Sequence, residues 1–444
     1  MKYDILIKNC SVLTANYEID ENCYVAVKDN QISQIDEVDN LSTDIEAKET
    51  INGKGKLLMP GLVDAHTHTC QQLLRGRTMD EYPMVWTRIL VPFESRLDEE
   101  AVSTSASLSC LEMIKNGTTS FADSGGLHMH KAAEAAIESG MRAAITKSVM
   151  DMGNFIPDTM LGSPEVIIEE IESLYKDYHG TDDRINIWFA LRQVMTSSPE
   201  LISKVSEKAE QYKTGLHAHL AEHRDEVSFC LQKYQKRPAE VFDEYGALGP
   251  NLLTAHNVVL SEEEIDLLHE RDVKIVHCPR NNFGNHGFPK TPRMLQTGLS
   301  IGLGSDGAAG SSLSLFDEMR VFRSGIHAFW GLPIFDPKVL SAKELLEMAT
   351  IGGARALQME NEIGEISVGK KADFILVDID QPHISPTHNL INTIVEGVNG
   401  TDVEDVVING KVIMKNREVL TLDEERIRHE STRALNRMAE KAGI

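Results

Sequence analysis

Between residues 57 and 304 the sequence alternates eight times between a short apolar run and a more polar stretch, a rhythm that few architectures accept. The runs cover 57–68, 118–123, 142–150, 185–193, 215–220, 251–258, 273–278 and 299–304. Amphipathic helical stretches lie among them at 98–116, 131–140, 164–178, 198–212, 261–270 and 314–328. Buried strands that each lead into a helix build parallel sheets. Eight such units predict an α/β fold, a (β/α)8 TIM-type barrel whose active site forms at the C-terminal strand ends.

The flanks follow another rule. Ile5, Ile7 and Val12, then Tyr24 to Val27, an Asp29-Asn30 turn and Ile32 to Ile35 alternate in strand fashion with no covering helix. Ala372 to Asp378 and Val406 to Ile413 read as strands of the same kind. The expected division is a small β-sandwich composed of 1–59 and 360–420, a barrel over 60–359, and a C-terminal helix within 421–444, its charged 423–441 stretch read as a surface helix.

A net charge of −24 repels phosphate backbones and anionic lipid, which excludes nucleic-acid polymers and membranes as expected partners. The start, Met1-Lys2-Tyr3-Asp4, lacks the apolar core of a signal peptide. Cysteines 10, 23, 70, 110, 230 and 278 are scattered without a Cys-x-x-Cys, which points to a reduced, cytoplasmic setting. Homo-oligomeric assembly is compatible with the sequence, which identifies no interface.

The first barrel strand ends Asp64-Ala65-His66-Thr67-His68. Side chains two apart on a strand point the same way, so both imidazoles could grip one ion. The fifth run supplies His217-Ala218-His219 with Glu222 beyond, the sixth ends at His256, and the eighth ends Gly304-Ser305-Asp306-Gly307. His66, His68, His219 and Asp306 form a nitrogen-and-oxygen set suited to one divalent ion, zinc or ferrous iron, with room for water. His219 is preferred to His217 because it lies nearer the strand mouth, which leaves His217 as a supporting or core histidine. A metal there makes a nucleophile of water at neutral pH. Glu222 is the expected proton shuttle and His256 the hydrogen-bonding partner of the nucleophile or oxyanion, with Asp306 counted in the reacting set as well as among the ligands. The alternative for His256 is a core histidine.

These motifs, together with His277-Cys278-Pro279, Gly364-Glu365-Ile366-Ser367-Val368-Gly369-Lys370-Lys371-Ala372-Asp373 and Asn409-Gly410-Lys411, resemble the amidohydrolase superfamily. Within it the sequence is similar to the branch of methylthioadenosine/S-adenosylhomocysteine deaminases, guanine deaminases and s-triazine hydrolases. The resemblance implies a metal-dependent hydrolytic deaminase of an amino-substituted nitrogen heterocycle, namely a purine, purine nucleoside or pterin, which releases ammonia. The alternatives are a triazine-type hydrolase with another leaving group and a non-catalytic scaffold. The fourth run, Trp188 to Gln193, lacks the lysine that bridges two metals in some relatives, which implies a single ion.

Candidate substrate contacts are Gln71, Trp86, Glu94, Arg192 and Asn282. Trp86 and Glu94 resemble a segment that nucleoside-deaminating relatives place over the ribose, although Trp86 is as readily plain core. Gln71 with Arg192 is similar instead to guanine deaminases, and the alternative for Arg192 is an ion pair. The arginines that bind a homocysteine tail in relatives have no clear match in this sequence, Lys147 being the nearest basic residue. His128 and His130 imitate the metal pair but read as a loop, His277 is expected to orient its neighbours, and His286 is either a lid residue or surface.

Overall fold

The computed structural model describes every residue except Met1, Thr43, Met79, Tyr82, Pro83, Ser311, Pro337 and Ile444. The alternating N-terminal segment forms β1 (Lys2–Leu13), β2 (Ile19–Lys28), β3 (Gln31–Glu37), β4 (Glu46–Asn52) and β5 (Lys56–Pro60). The central region supplies β6 (Leu62–Thr67), β7 (Thr118–Asp123), β8 (Arg142–Ile145), β9 (Ile185–Ile187), β10 (Phe189–Leu191), β11 (Leu216–Leu220), β12 (Leu252–His256), β13 (Lys274–His277) and β14 (Ile301–Leu303). The C-terminal part adds β15 (Phe374–Asp378), β16 (Val403–Ile408), β17 (Lys411–Lys415) and β18 (Glu418–Val419).

Both ends of the chain share one nine-stranded sheet, ordered β18-β17-β16-β15-β5-β1-β2-β3, with β4 paired to β1. The junction is antiparallel, Met59 lying opposite Ile375. Arg142, at the start of β8, clamps this sheet to the central region. Its Nε donates to Asp373 Oδ2 at 2.8 Å, its Nη2 to Asp373 Oδ1 at 3.2 Å and its Nη1 to the Asp183 carbonyl at 2.7 Å.

The central strands run parallel in chain order, β6-β7-β8-β9 and β10-β11-β12-β13-β14. Trp188 separates β9 from β10, so one extended segment pairs with β8 on one side and β11 on the other. Its indole lies on Gly215, where an added Cβ would come within 2.2 Å of the ring. The helices begin where short polar residues can take up free N–H groups. Ser163 and Ser198 cap helices whose first residue is proline, and Ser261 caps the helix Glu262–Glu270.

All eight expected strands and all six expected helices have counterparts, but the first run divides at Gly61 between β5 of the terminal sheet and β6, the fourth divides at Trp188, and the third ends at Ile145 rather than Met150. Short helices at Arg224–Tyr234, Pro238–Glu244, Pro279–Asn285 and Thr291–Thr297 join them. The C-terminal helix Glu424–Ala442 is less solvated than its composition implied, since Ile427, Ser431, Ala434 and Met438 form a buried stripe at helical spacing. No helix among the described residues is long and apolar enough to cross a membrane.

Candidate metal centre

The site is assembled from strand ends that turn sharply. Ala221, His256 and Asp306 adopt left-handed φ of 49°, 74° and 61°, which swing side chains from straight strands onto one centre. Gly304 permits the last approach, for a Cβ there would lie 2.7 Å from the His66 carbonyl. The Asp306 N–H donates to that same carbonyl at 2.9 Å.

Four donors converge. Asp306 Oδ1 lies 3.1 Å from His66 Nε2 and 3.4 Å from His68 Nε2, and His68 Nε2 lies 3.3 Å from His219 Nε2. Ligands about 2.0–2.1 Å from a tetrahedral ion stand roughly 3.3 Å apart, so these spacings fit one divalent metal. The His219 lone pair is aimed correctly, because its Nδ1–H donates to the Arg192 carbonyl at 2.7 Å and leaves Nε2 free to bind, and His66 Nδ1 is engaged by His217 Nε2 at 2.8 Å. Burial lowers the His66 pKa to about 4 and holds His219 well below the ordinary value, so both rings are neutral, as ligands must be. A further set, His66, His219, His256 and Asp306, also has its donor atoms within 4.8 Å of one another, so distance alone admits His256 in place of His68.

Opposite this group stands Glu222, its Oε1 4.0 Å from His256 Nε2 and 3.1 Å from His286 Nε2. Burial works to raise its carboxyl, but the hydrogen bond and the positive charge of His286 favour the carboxylate form. His256 Nε2 is buried and has no hydrogen-bond partner.

Three of the expected substrate contacts form a cluster of their own. Gln71 Nε2 donates to Glu94 Oε1 at 2.6 Å, and Arg192 pairs with Glu94 at 3.4 Å. Glu94 is fully buried. Arg192 therefore takes the ion-pair alternative while lying directly behind His219. Trp86 is half-buried against Val91, Met150, Ile156 and Met160. Asn282 is spoken for by protein, its Nδ2 meeting His256 Nδ1 at 3.0 Å and its Oδ1 accepting from the Cys278 N–H at 3.1 Å. Lys147 is paired with Glu170 at 3.0 Å, and His130 lies 3.5 Å from Glu99 with the His128 ring 6.2 Å away. His277 donates through Nδ1 to the His256 carbonyl at 2.9 Å.

The sequence profile of the Amidohydrolase family matches residues 57–413. The chain belongs to that family. This amidohydrolase is 34% identical over 433 residues to a 5-methylthioadenosine/S-adenosylhomocysteine deaminase of Acetivibrio thermocellus, covering 96% of the chain and 97% of the relative. It is 34% identical over 445 residues to a 5'-deoxyadenosine deaminase of Methanosarcina acetivorans, with 99% of each covered. Among solved structures, the adenosine deaminase of Xanthomonas campestris with bound zinc superposes with a TM-score of 0.92, 28% identity and 99% of each chain covered. Kinship of this kind gives the amidohydrolase a TIM-type barrel with a second domain, and the converging histidines and aspartate are a divalent-metal site.

Two supporting residues of the amidohydrolase escaped the sequence reading: Asn281 hydrogen-bonds Asp306 Oδ2, and Glu226 accepts the Glu222 backbone N–H. His286, read as lid or surface, reaches Glu222 itself. The available signal was the Asn281-Asn282 pair one residue beyond His277-Cys278-Pro279, two amides at the mouth of a strand.

Proposed function

We propose that this amidohydrolase is a hydrolytic deaminase of a purine nucleoside, with an adenine base and a modified or missing 5'-hydroxyl as the expected substrate class. The carrying observation is the convergence of His66, His68, His219 and Asp306 opposite Glu222 and His256. The names of relatives that match end to end at 34% identity support the nucleoside reading over a triazine, and the intact donor set argues against a scaffold.

A divalent ion, zinc in this proposal, would be held by His66, His68, His219 and Asp306 and would lower the pKa of water enough to supply a nucleophile at neutral pH. Glu222, held as a carboxylate, takes the proton from the attacking water and passes it to the substrate. Oxygen bonds to the amino-bearing ring carbon, the carbon–nitrogen bond breaks, and ammonia leaves with that proton. His256 hydrogen-bonds the attacking oxygen and orients it toward the ring carbon. The Gln71–Glu94–Arg192 cluster is the proposed polar wall for ribose hydroxyls or a ring edge, and Trp86 an apolar cover.

In the same proposal residues 60–359 close into a (β/α)8 barrel, supported by the Asp306-to-His66 backbone bond that joins the β14 end to β6. The sandwich comprises 1–59 and 360–420, and the C-terminal helix lies within 421–444. Six free, buried cysteines support a cytoplasmic setting, and the net charge of −24 supports the exclusion of nucleic-acid and membrane partners. A homo-oligomer is part of the proposal.

The test is ammonia release and ultraviolet absorbance change with metal-loaded protein. The panel holds methylthioadenosine, S-adenosylhomocysteine, 5'-deoxyadenosine, adenosine, guanine, a pterin and a chlorotriazine, with Glu222→Gln as the inactive control. Turnover of the adenine nucleosides is expected. Turnover of guanine, pterin or triazine alone would overturn the substrate class, and ammonia from no amino-bearing substrate would overturn the reaction.

A further inference from the structure

We propose that Asn282 is a positioning residue that fixes His256 in the tautomer with its proton on Nε2, making His256 a hydrogen-bond donor to the reacting centre and excluding it from the metal. The reasoning begins with the amide. A carboxamide has an acceptor end and a donor end, and the two look alike until a neighbour distinguishes them. The Cys278 backbone N–H supplies that distinction, since it donates to the Asn282 oxygen at 3.1 Å. The NH2 end must then face His256 Nδ1, 3.0 Å away. An NH2 group only donates, so Nδ1 has to be bare. A neutral imidazole carries one ring proton, which is left to Nε2. The imidazolium is disfavoured for the same reason, as it would set N–H against N–H.

Asn282 is held rigidly enough to impose this choice. It is fully buried in the first turn of the helix Pro279–Asn285, where its own N–H donates to the Cys278 carbonyl at 2.8 Å. The His256 backbone is fixed as well, by its left-handed φ of 74° and by the His277 N–H on its carbonyl. His256 Nε2 is left buried and without a partner, 4.0 Å from Glu222 Oε1.

The neighbouring histidine has the opposite polarity. The His219 and His256 rings stack at 5.3 Å and 23°, yet His219 Nδ1 faces a carbonyl, which can only accept. His219 therefore offers a lone pair from Nε2 and His256 a proton. Distance alone left His68 and His256 as rivals for the fourth ligand position. Hydrogen-bond polarity rules out His256, since a ligand nitrogen needs a lone pair, and the position falls to His68.

Only the kinetic part of the test rests on the deaminase reading. In protein labelled with 15N-histidine, two-bond 1H–15N correlations identify which ring nitrogen carries the proton. The expected wild-type His256 pattern has Nε2 protonated and Nδ1 bare. In Asn282→Asp the carboxylate accepts only, so a proton is drawn onto His256 Nδ1. His256→Ala is expected to keep a full metal complement by elemental analysis, and His68→Ala to lose it. With a deaminase substrate, Asn282→Asp should lose about 10²-fold or more in kcat with its metal retained. A wild-type His256 protonated on Nδ1 would overturn the proposal, as would metal loss in His256→Ala alongside retention in His68→Ala. The wild-type spectrum requires neither a folded variant nor a substrate, so it decides the point even if the deaminase reading fails.

Discussion

Glu226 accepts a hydrogen bond from the backbone N–H of Glu222 across 3.0 Å, so one buried glutamate holds the main chain that presents another. Glu226→Ala leaves that buried N–H without an acceptor, and a stability loss of about 1–3 kcal/mol is expected by urea denaturation. Glu226→Gln keeps an acceptor and should lose less.

The same residue predicts a pH dependence. Burial pushes the Glu226 carboxyl from 4.5 up to about 8. Below 4.5 the folded and unfolded chains both carry this proton. Above that value the unfolded chain releases it first, so its contribution to stability is greatest in acid and is lost as pH rises through about 8. In the wild type, unfolding free energy should decline over this window more steeply than in Glu226→Gln. Parallel profiles for the two proteins would show that Glu226 is ionised when folded.

Arg192 and Glu94 face each other 3.4 Å apart, both almost wholly buried. Glu94→Gln leaves the buried guanidinium without its counter-charge, whereas Glu94→Gln with Arg192→Met removes both charges. Measured on kcat/KM, the double-mutant cycle should give a coupling of about 1–3 kcal/mol, and additive effects would mean that the two side chains meet substrate independently.

Arg142 and Asp373 tie the terminal sheet to the central strands with side chains 0% and 1% exposed. Asp373→Ala leaves the arginine buried and unpaired, with an expected loss of roughly 3–5 kcal/mol in unfolding free energy. The pair lies outside the metal centre, so activity per folded molecule should stay near wild type.

Chelation should abolish turnover and lower Tm, because a ligand bound only by the folded state stabilises it by about 2.7 kcal/mol at 100 times its Kd. Zinc should restore both. Asp306→Ala and His219→Ala should show a low Tm that neither chelator nor zinc moves.

The strands and principal helices were legible because apolar periodicity encodes them, and His66, His68, His219 and Asp306 were legible because strand ends converge in such an architecture. Contacts beyond the strands were not. Nothing in the spacing of Asn282 reveals that the Cys278 N–H will orient its amide toward His256, and Glu226 looks like any acid in the first turn of a helix until the fold buries it beneath Glu222. Arg192 offered two readings in sequence because either needs only a guanidinium beside the pocket. Those details depend on loop paths that periodicity does not record.

The pairing of β5 with β15 sets a schedule for synthesis. The nascent chain releases Lys56–Pro60 roughly 300 residues before Phe374–Asp378 exists, an interval on the order of 15–60 s at ribosomal speed. For that time the half-made sheet offers a bare edge to any neighbour on the polysome. Prematurely terminated products lacking the last strands should accordingly aggregate, however complete their metal ligands.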